Sequence, residues 1–315
     1  MSTPFDLKLA LIEKLYRHTF RHIDPARLGP PGHWTMLGPE RLAPPYIRPD
    51  SDEELFLDFY SLPGLEMALE RYGFLDNVRE QGFSDLRLML HRAPEGYDIL
   101  RLQAAECEQP LVELVAQVGP LPVEGQRLVD TGERPFLHVR WLRMQNPLRQ
   151  APAERPLLPG QDFPGLGLGR HMLALLQMIC VRMDLDGMVA LPERLHNAAL
   201  YFRRFLFVDP KVQGTLVAIL RDCRRHRLTE LAWGVDLGGL YDLDTRKPFR
   251  WIPAEQVMAR QGPAREYLDS EDYRRLAHEE MSRRHFRLSG GDLALEDAIT
   301  SGALSEDSTG TPSNI

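Results

Sequence analysis

Pro164-Gly165-Leu166-Gly167-Leu168-Gly169-Arg170 decides how this chain is read, because it runs straight into Leu173, Leu176, Ile179, Cys180 and Met183, which are spaced as one face of a helix. Glycines at three alternate positions let a turn present successive backbone N–H groups with no Cβ in the way. A helix start behind them adds donors and a partial positive charge, which suits pyrophosphate or another anion. The plainer alternative is a turn that only caps the helix. Two common phosphate loops do not fit. A P-loop needs Lys-Ser or Lys-Thr after its last glycine, and Arg170-His171 stands there. A dinucleotide fingerprint needs G-x-G-x-x-G after a buried strand. Here the spacing is G-x-G-x-G behind a proline-rich loop.

Upstream of the glycines, residues 85–91, 97–104, 111–118 and 136–144 alternate near period two. They read as four mainly antiparallel strands, the first two joined by a turn at 93–96. Residues 145–164 carry five prolines and read as a long loop, a candidate lid. Downstream, the pattern predicts a helix over 169–183, a strand over 188–191, and helices over 194–205 and 211–225. A hairpin follows over 229–252, then a helix over 271–285 with Ser270 as N-cap. The N-terminal side gives an amphipathic helix over 5–24, a Pro/Gly-rich stretch over 25–49, and helix over 51–82 in two pieces broken at Pro63-Gly64.

Length and composition set the bounds. At 315 residues the chain allows one large domain or two modest ones. With 43% hydrophobic and 26% charged residues it is not a disordered, collagenous or membrane-embedded chain. No apolar run approaches the ~20 residues that span a bilayer, and the start, Met-Ser-Thr-Pro-Phe-Asp, shows no secretory signal. Cys107, Cys180 and Cys223 are scattered with no CxxC, so no metal site is expected, and two of them fall on apolar helix faces as buried thiols. The expectation is a cytoplasmic protein in a reducing compartment. The net charge is −7, but Asp292, Glu296, Asp297, Glu306 and Asp307 lie in a tail from Ser289 that lacks Lys and Arg and is expected to be disordered. The remainder is near neutral and offers no electrostatic footprint for nucleic acid. The run Arg221, Arg224, Arg225, His226, Arg227 reads as a solvated helix end.

The glycine stretch resembles the acyl-CoA-binding segment of the N-acetyltransferase superfamily, the GNAT fold, in which a pattern like [QR]-x-x-G-x-[GA] lies between the fourth strand and a long helix. Gly167 and Gly169 match its final positions and Gly165 a glycine common just before them. The segment His196-Asn-Ala-Ala-Leu-Tyr-Phe-Arg-Arg-Phe-Leu-Phe207 is similar to the family's N-x-x-A-x-x-x-Y-x-x-x-G-F. The sequence departs from the family at Pro164, where Gln or Arg is usual, and at Leu206, where Gly is usual. Anchoring on Phe207 puts the tyrosine slot on Phe202 and the asparagine slot on Leu195.

The resemblance covers roughly residues 85–210 and implies an α/β (α+β) GNAT-like fold, a mixed, mostly antiparallel sheet flanked by helices. Around that core it leaves a helical N-terminal extension over 1–84, a C-terminal helix, hairpin and helix over 211–288, and the acidic tail over 289–315. It implies acetyl-CoA as co-substrate, held by Gly165, Leu166, Gly167, Leu168, Gly169 and Arg170 with Asn197, and an amine or protein acceptor. Tyr201 would protonate the leaving thiolate. His138 or Glu113 would take the proton from the amine, with Glu133 the other nearby carboxylate; a lone strand histidine is more often structural or exposed. Trp233, Tyr241 and Trp251 could line an acceptor pocket or simply be core. The rival expectation is a catalytically inactive module of the same fold, binding CoA or a protein partner through its N-terminal helices or acidic tail.

Overall fold

A computed structural model describes residues 4–29, 54–152 and 155–289. Most of the Pro/Gly-rich stretch and nearly all of the acidic tail therefore lie outside the described residues. In chain order the elements are α1 (Pro4–His22), α2 (Leu62–Arg71), α3 (Phe74–Arg79), β1 (Arg87–Arg92), β2 (Asp98–Gln103), β3 (Val112–Gly119), α4 (Val123–Gln126) and β4 (Phe136–Met144). Then follow α5 (Gly169–Arg182), β5 (Gly187–Ala190), α6 (Leu195–Tyr201), β6 (Leu206–Phe207), α7 (Pro210–Asp222), α8 (Leu228–Asp236) and β7 (Leu240–Asp242). The chain ends with β8 (Lys247–Pro248), β9 (Gln256–Ala259), α9 (Gly262–Leu268), α10 (Glu271–Arg283) and β10 (Phe286–Leu288). The chain is mixed α+β. The pairs β1–β2, β2–β3, β3–β4, β6–β9, β7–β8 and β7–β10 are all antiparallel.

The elements fall into two compact units. One holds the residues up to Leu121 with Gly132–Leu148 and Gly165–Val189; the other holds Pro122–Thr131, Arg149–Pro164 and the residues from Ala190 onward.

In the first unit β1 to β4 form the expected meander, with β5 beside β4. Alternation places Leu88 opposite Leu102 and Leu100 opposite Leu114, so one face is leucine-rich and packs against helices. Leu9 and Tyr16, two turns apart on α1, are buried, as is Ile23 just after its end. Between β3 and β4 the register shifts at Val115/Ala116: Val115 faces Trp141 and Ala116 faces Val139, which makes Arg140 the extra residue of a bulge. The expected break at Pro63-Gly64 is a helix start instead. Ser61 caps α2 by accepting from the Gly64 N–H at 3.2 Å, and proline fits the first turn, where its missing donor is not needed. Residues 54–61 are not helical, with Phe56 and Tyr60 forming a bridge, so helix is found only from Leu62 on, interrupted at Gly73, in a left-handed conformation with φ of 68°.

In the second unit a core of Leu195, Phe207, Leu216, Ile219, Leu231 and Phe286 draws on α6, β6, α7, α8 and β10. Here the expected hairpin over 229–252 is corrected. Leu228–Asp236 is helix α8, with Glu230 accepting from the Arg227 N–H at 3.0 Å, and only the short pair β7–β8 is hairpin. The expected helix over 194–205 stops at Tyr201, whose carbonyl accepts from both Arg204 and Phe205 before β6 begins. Ser270 caps α10 as expected, accepting from the Tyr273 N–H at 3.2 Å. Cys180 and Cys223 are buried, and no disulfide joins them or Cys107.

Candidate functional site: the glycine loop before α5

The loop is tied down at its start. Gln145 and Gly165 form an antiparallel bridge, and the Leu166 N–H donates to the Met144 carbonyl at 3.4 Å. The Gln81 side-chain amide donates to the Leu166 carbonyl at 3.0 Å and itself accepts from Asn146 Nδ2 at 3.2 Å. Leu166 and Leu168 bury their side chains while Gly165 and Gly167, each preceding one of them, are exposed. The leucines thus anchor a backbone whose glycines face solvent. Gly167 has φ of 73° with nothing near its would-be Cβ, so backbone conformation rather than crowding calls for glycine. Helix α5 follows directly. Leu168 precedes it without a side-chain cap, no acid lies in its first turn, and Arg170 stands there. First-turn N–H groups have no carbonyl one turn earlier to bond, which leaves this end suited to an anion.

In the first turn of α5, His171 Nδ1 lies 2.9 Å from the Tyr16 hydroxyl. Burial holds the imidazole below its ordinary pKa, and Arg170 beside it adds to the effect. Burial pushes the Tyr16 phenol well up, with Tyr72 contributing. Both groups are therefore uncharged at neutral pH.

The other sequence-derived residues are spread out. His138 is buried on β4, with Nε2 3.2 Å from the Gly119 carbonyl and 2.8 Å from that of Pro120. Carbonyls only accept, so Nε2 carries the proton and Nδ1 remains as the basic atom. Burial lowers the pKa of this histidine, which is neutral at pH 7. Glu113, on β3, accepts from Arg101 Nε at 2.7 Å and from Arg143 Nη2 at 3.5 Å. Glu113 faces Arg143, whereas His138 faces Gln117. At about 3.3 Å per residue, roughly 15 Å of strand separates the two and they do not act together. Glu133 is exposed just before β4.

Tyr201 and Asn197 belong to the second unit. Tyr201 ends α6, half-buried, its ring 6.4 Å from that of Phe205. Phe202, the alternative tyrosine slot, packs on the second unit's core. Asn197 is exposed in the first turn of α6, and the N-cap position is held by Arg194. Its neighbour His196 is 4% exposed, with a pKa lowered to about 4 by burial and then by Arg194. Trp233 lies on α8 rather than a strand and donates to the Leu157 carbonyl at 2.9 Å; Trp251 donates to the Pro192 carbonyl at 2.9 Å. Both act as fasteners within the second unit, while Tyr241 is exposed on β7.

Sequence reasoning missed the bulge at Arg140, since register depends on the partner strand, and it missed Gln81 and Asn146, whose amides brace the loop from 85 and 20 residues away. Nothing in their local sequence marks them. Among the described residues no group of three or more His, Cys, Asp or Glu is placed to hold a metal ion, and no helix is long and apolar enough to cross a membrane. No family model, curated protein or solved structure matches this chain.

Proposed function

We propose that the chain is an acyl-CoA-dependent N-acyltransferase. The observation that carries the reading is the exposed backbone at Gly165 and Gly167 leading into the uncapped start of α5. Acetyl-CoA's pyrophosphate sits on these N–H groups, with Arg170 adding charge. The element order, four antiparallel strands and then loop, α5, β5 and α6, supports the same reading. So does the bulge at Arg140, which takes one peptide of β4 out of the ladder and leaves it able to polarise a thioester carbonyl. The acceptor nitrogen attacks that carbonyl carbon and the C–S bond breaks. His138 Nδ1 takes the amine's proton, and the departing thiolate takes one from solvent.

A specific observation favours the second reading, a CoA-binding module without turnover. Glu113 is engaged by two arginines, and one nitrogen of His138 is committed to two carbonyls. The test is the thermal midpoint of the full chain with and without acetyl-CoA and free CoA. Ligand at 100 times its Kd stabilises by about 2.7 kcal/mol, several degrees for a chain of this size. Gly167→Val should abolish the shift, and no shift at millimolar CoA in the parent protein would overturn both readings. Loss of thioester with a pool of amines, reduced in His138→Gln, separates enzyme from inactive module.

A further inference from the structure

In the first unit β1 is the last strand of its sheet, with β2 on one side and, among the described residues, no strand on the other. The phase of its ladder follows from the turn. Ala93 donates to the Tyr97 carbonyl at 2.8 Å, so the hydrogen-bonded pairs run on through His91–Ile99, Met89–Arg101 and Arg87–Gln103. The backbone N–H and C=O of Leu88 and Leu90 therefore point away from β2, and among the described residues they have no partner. Edge strands are usually blunted by a bulge, a proline or brevity. β1 instead pairs in unbroken register from Arg87 to Arg92 and holds no proline.

Arg87, Met89 and His91 are exposed on one face of this edge, while Leu88 and Leu90 lie on the leucine face. Arg87 and His91 enter no hydrogen bond or ion pair among the described residues. Arg92, at the end, is already held by Asp98 and Asp58. A strand laid here meets leucines on one face and a cation, a methionine and an imidazole on the other. Cross-strand pairing therefore selects a strand that alternates acid, leucine, small residue, leucine, acid. A second copy of β1 does not fit, since it has no acid to set beside Arg87. Residues 292–296, Asp-Leu-Ala-Leu-Glu, have this order.

We propose that the open edge of β1 accepts residues 292–296 of a second copy of this chain as an added antiparallel strand. Glu296 then stands opposite Arg87, Leu295 opposite Leu88, Ala294 opposite Met89 and Leu293 opposite Leu90. Asp292 stands opposite His91, whose ring N–H donates to the carboxylate. The antiparallel direction sets Gly291 opposite Arg92, whereas the parallel one would bring Asp297 up to the carboxylates of Asp98 and Asp58. Within one chain the segment is tethered to Ser289, whose N–H and hydroxyl both donate to the Gly239 carbonyl. That tether reaches at most ~10 Å. A second copy supplies the strand without this restraint, and reciprocal exchange closes a two-fold dimer. The edge is separate from the glycine loop, and the proposal does not rest on the acyl-CoA reading.

The experiment is fluorescence anisotropy of a labelled synthetic peptide of residues 290–299 titrated with the full chain at low salt, with a scrambled peptide of the same composition as control. The expected result is saturable binding of one peptide per chain, at least tenfold tighter than the scrambled order. Glu296→Arg in the peptide, or Arg87→Glu in the chain, should weaken binding at least tenfold, and the two changes together should restore it. Circular dichroism establishes that the Arg87→Glu chain is folded. In sedimentation velocity the parent chain should form a dimer that grows with concentration, and Arg87→Glu or excess peptide should dissolve it. The proposal is overturned by absence of saturable peptide binding, by equal binding of the scrambled peptide, or by failure of the paired change to restore affinity. A parent chain that stays monomeric at high micromolar concentration overturns it as well.

Discussion

The Tyr16 hydroxyl and His171 Nδ1, 155 residues apart in sequence, meet at 2.9 Å and fasten the middle of α1 to the first turn of α5. The contact steadies the helix end that carries the glycine loop. Tyr16 is fully buried and its ring also packs 4.8 Å from that of Tyr72.

Tyr16→Phe keeps the ring and removes the hydroxyl, leaving a half-buried imidazole nitrogen unsatisfied. The expected cost is about 1–2 kcal/mol in denaturant unfolding. A double-mutant cycle with His171→Ala should give a coupling energy above about 0.5 kcal/mol. Strict additivity would mean that the hydrogen bond contributes nothing.

His196 sets a pH dependence. Its folded-state pKa of about 4 lies below its unfolded value near 6.5, so the unfolded chain binds the proton more readily between those limits. Stability is full above pH 6.5 and falls as the pH drops toward 4, by up to ~3 kcal/mol from this group. His138 and His171, both lowered, act in the same direction. Thermal midpoints between pH 7.5 and 4.5 should fall less steeply for His196→Gln than for the parent; identical slopes would refute the assignment.

Two glycines should respond differently to alanine. At Gly214, on α7, a Cβ would collide with the Ala277 carbonyl and come within 2.8 Å of Glu280 Cβ, so α7 and α10 would have to separate. At Gly96, φ is 84° but no neighbour lies within 4 Å. Gly214→Ala should cost ~2–3 kcal/mol or more as an overpacking change. Gly96→Ala should cost about 1 kcal/mol, the local backbone penalty alone. Denaturant midpoints of the two variants check the order.

Asp98 is 2% exposed, with Oδ2 accepting from the Leu57 N–H at 2.6 Å and its two oxygens from Arg92 at 2.7 and 3.0 Å. The same interaction holds Leu57 and Asp58, both at positive φ. Asp98→Ala should destabilise by ~1–3 kcal/mol, since it leaves the Leu57 amide without its acceptor and Arg92 with only Asp58 and the Leu55 carbonyl. Proteolysis near residues 55–60 should accelerate in step.

The parts legible in the sequence were those where one periodicity dominates. Leu88, Leu100, Leu102 and Leu114 alternate cleanly, and the strands stand within two residues of where the pattern placed them. The hairpin reading of 229–252 failed because Leu231, Trp233 and Val235 alternate as a strand would, while Leu228, Leu231 and Val235 also share a helix face. Tertiary packing of Leu231 and Val235 against the second core decides in favour of the helix. Pro63 was read as a breaker when its position after Ser61 made it a first-turn residue. At the candidate site the glycines and the helix behind them were visible, since each follows from local chemistry. The bulge at Arg140, the Tyr16–His171 contact and the Gln81 and Asn146 braces were not, because each depends on a partner far along the chain.

The discontinuous make-up of the first unit has a consequence for its synthesis. The leucine face of β1–β3 is complete once residue 119 has emerged from the ribosome, yet α5, which covers part of it, ends only at residue 182. At about 5–20 residues per second the nascent chain carries that uncovered apolar surface for roughly 3–13 s.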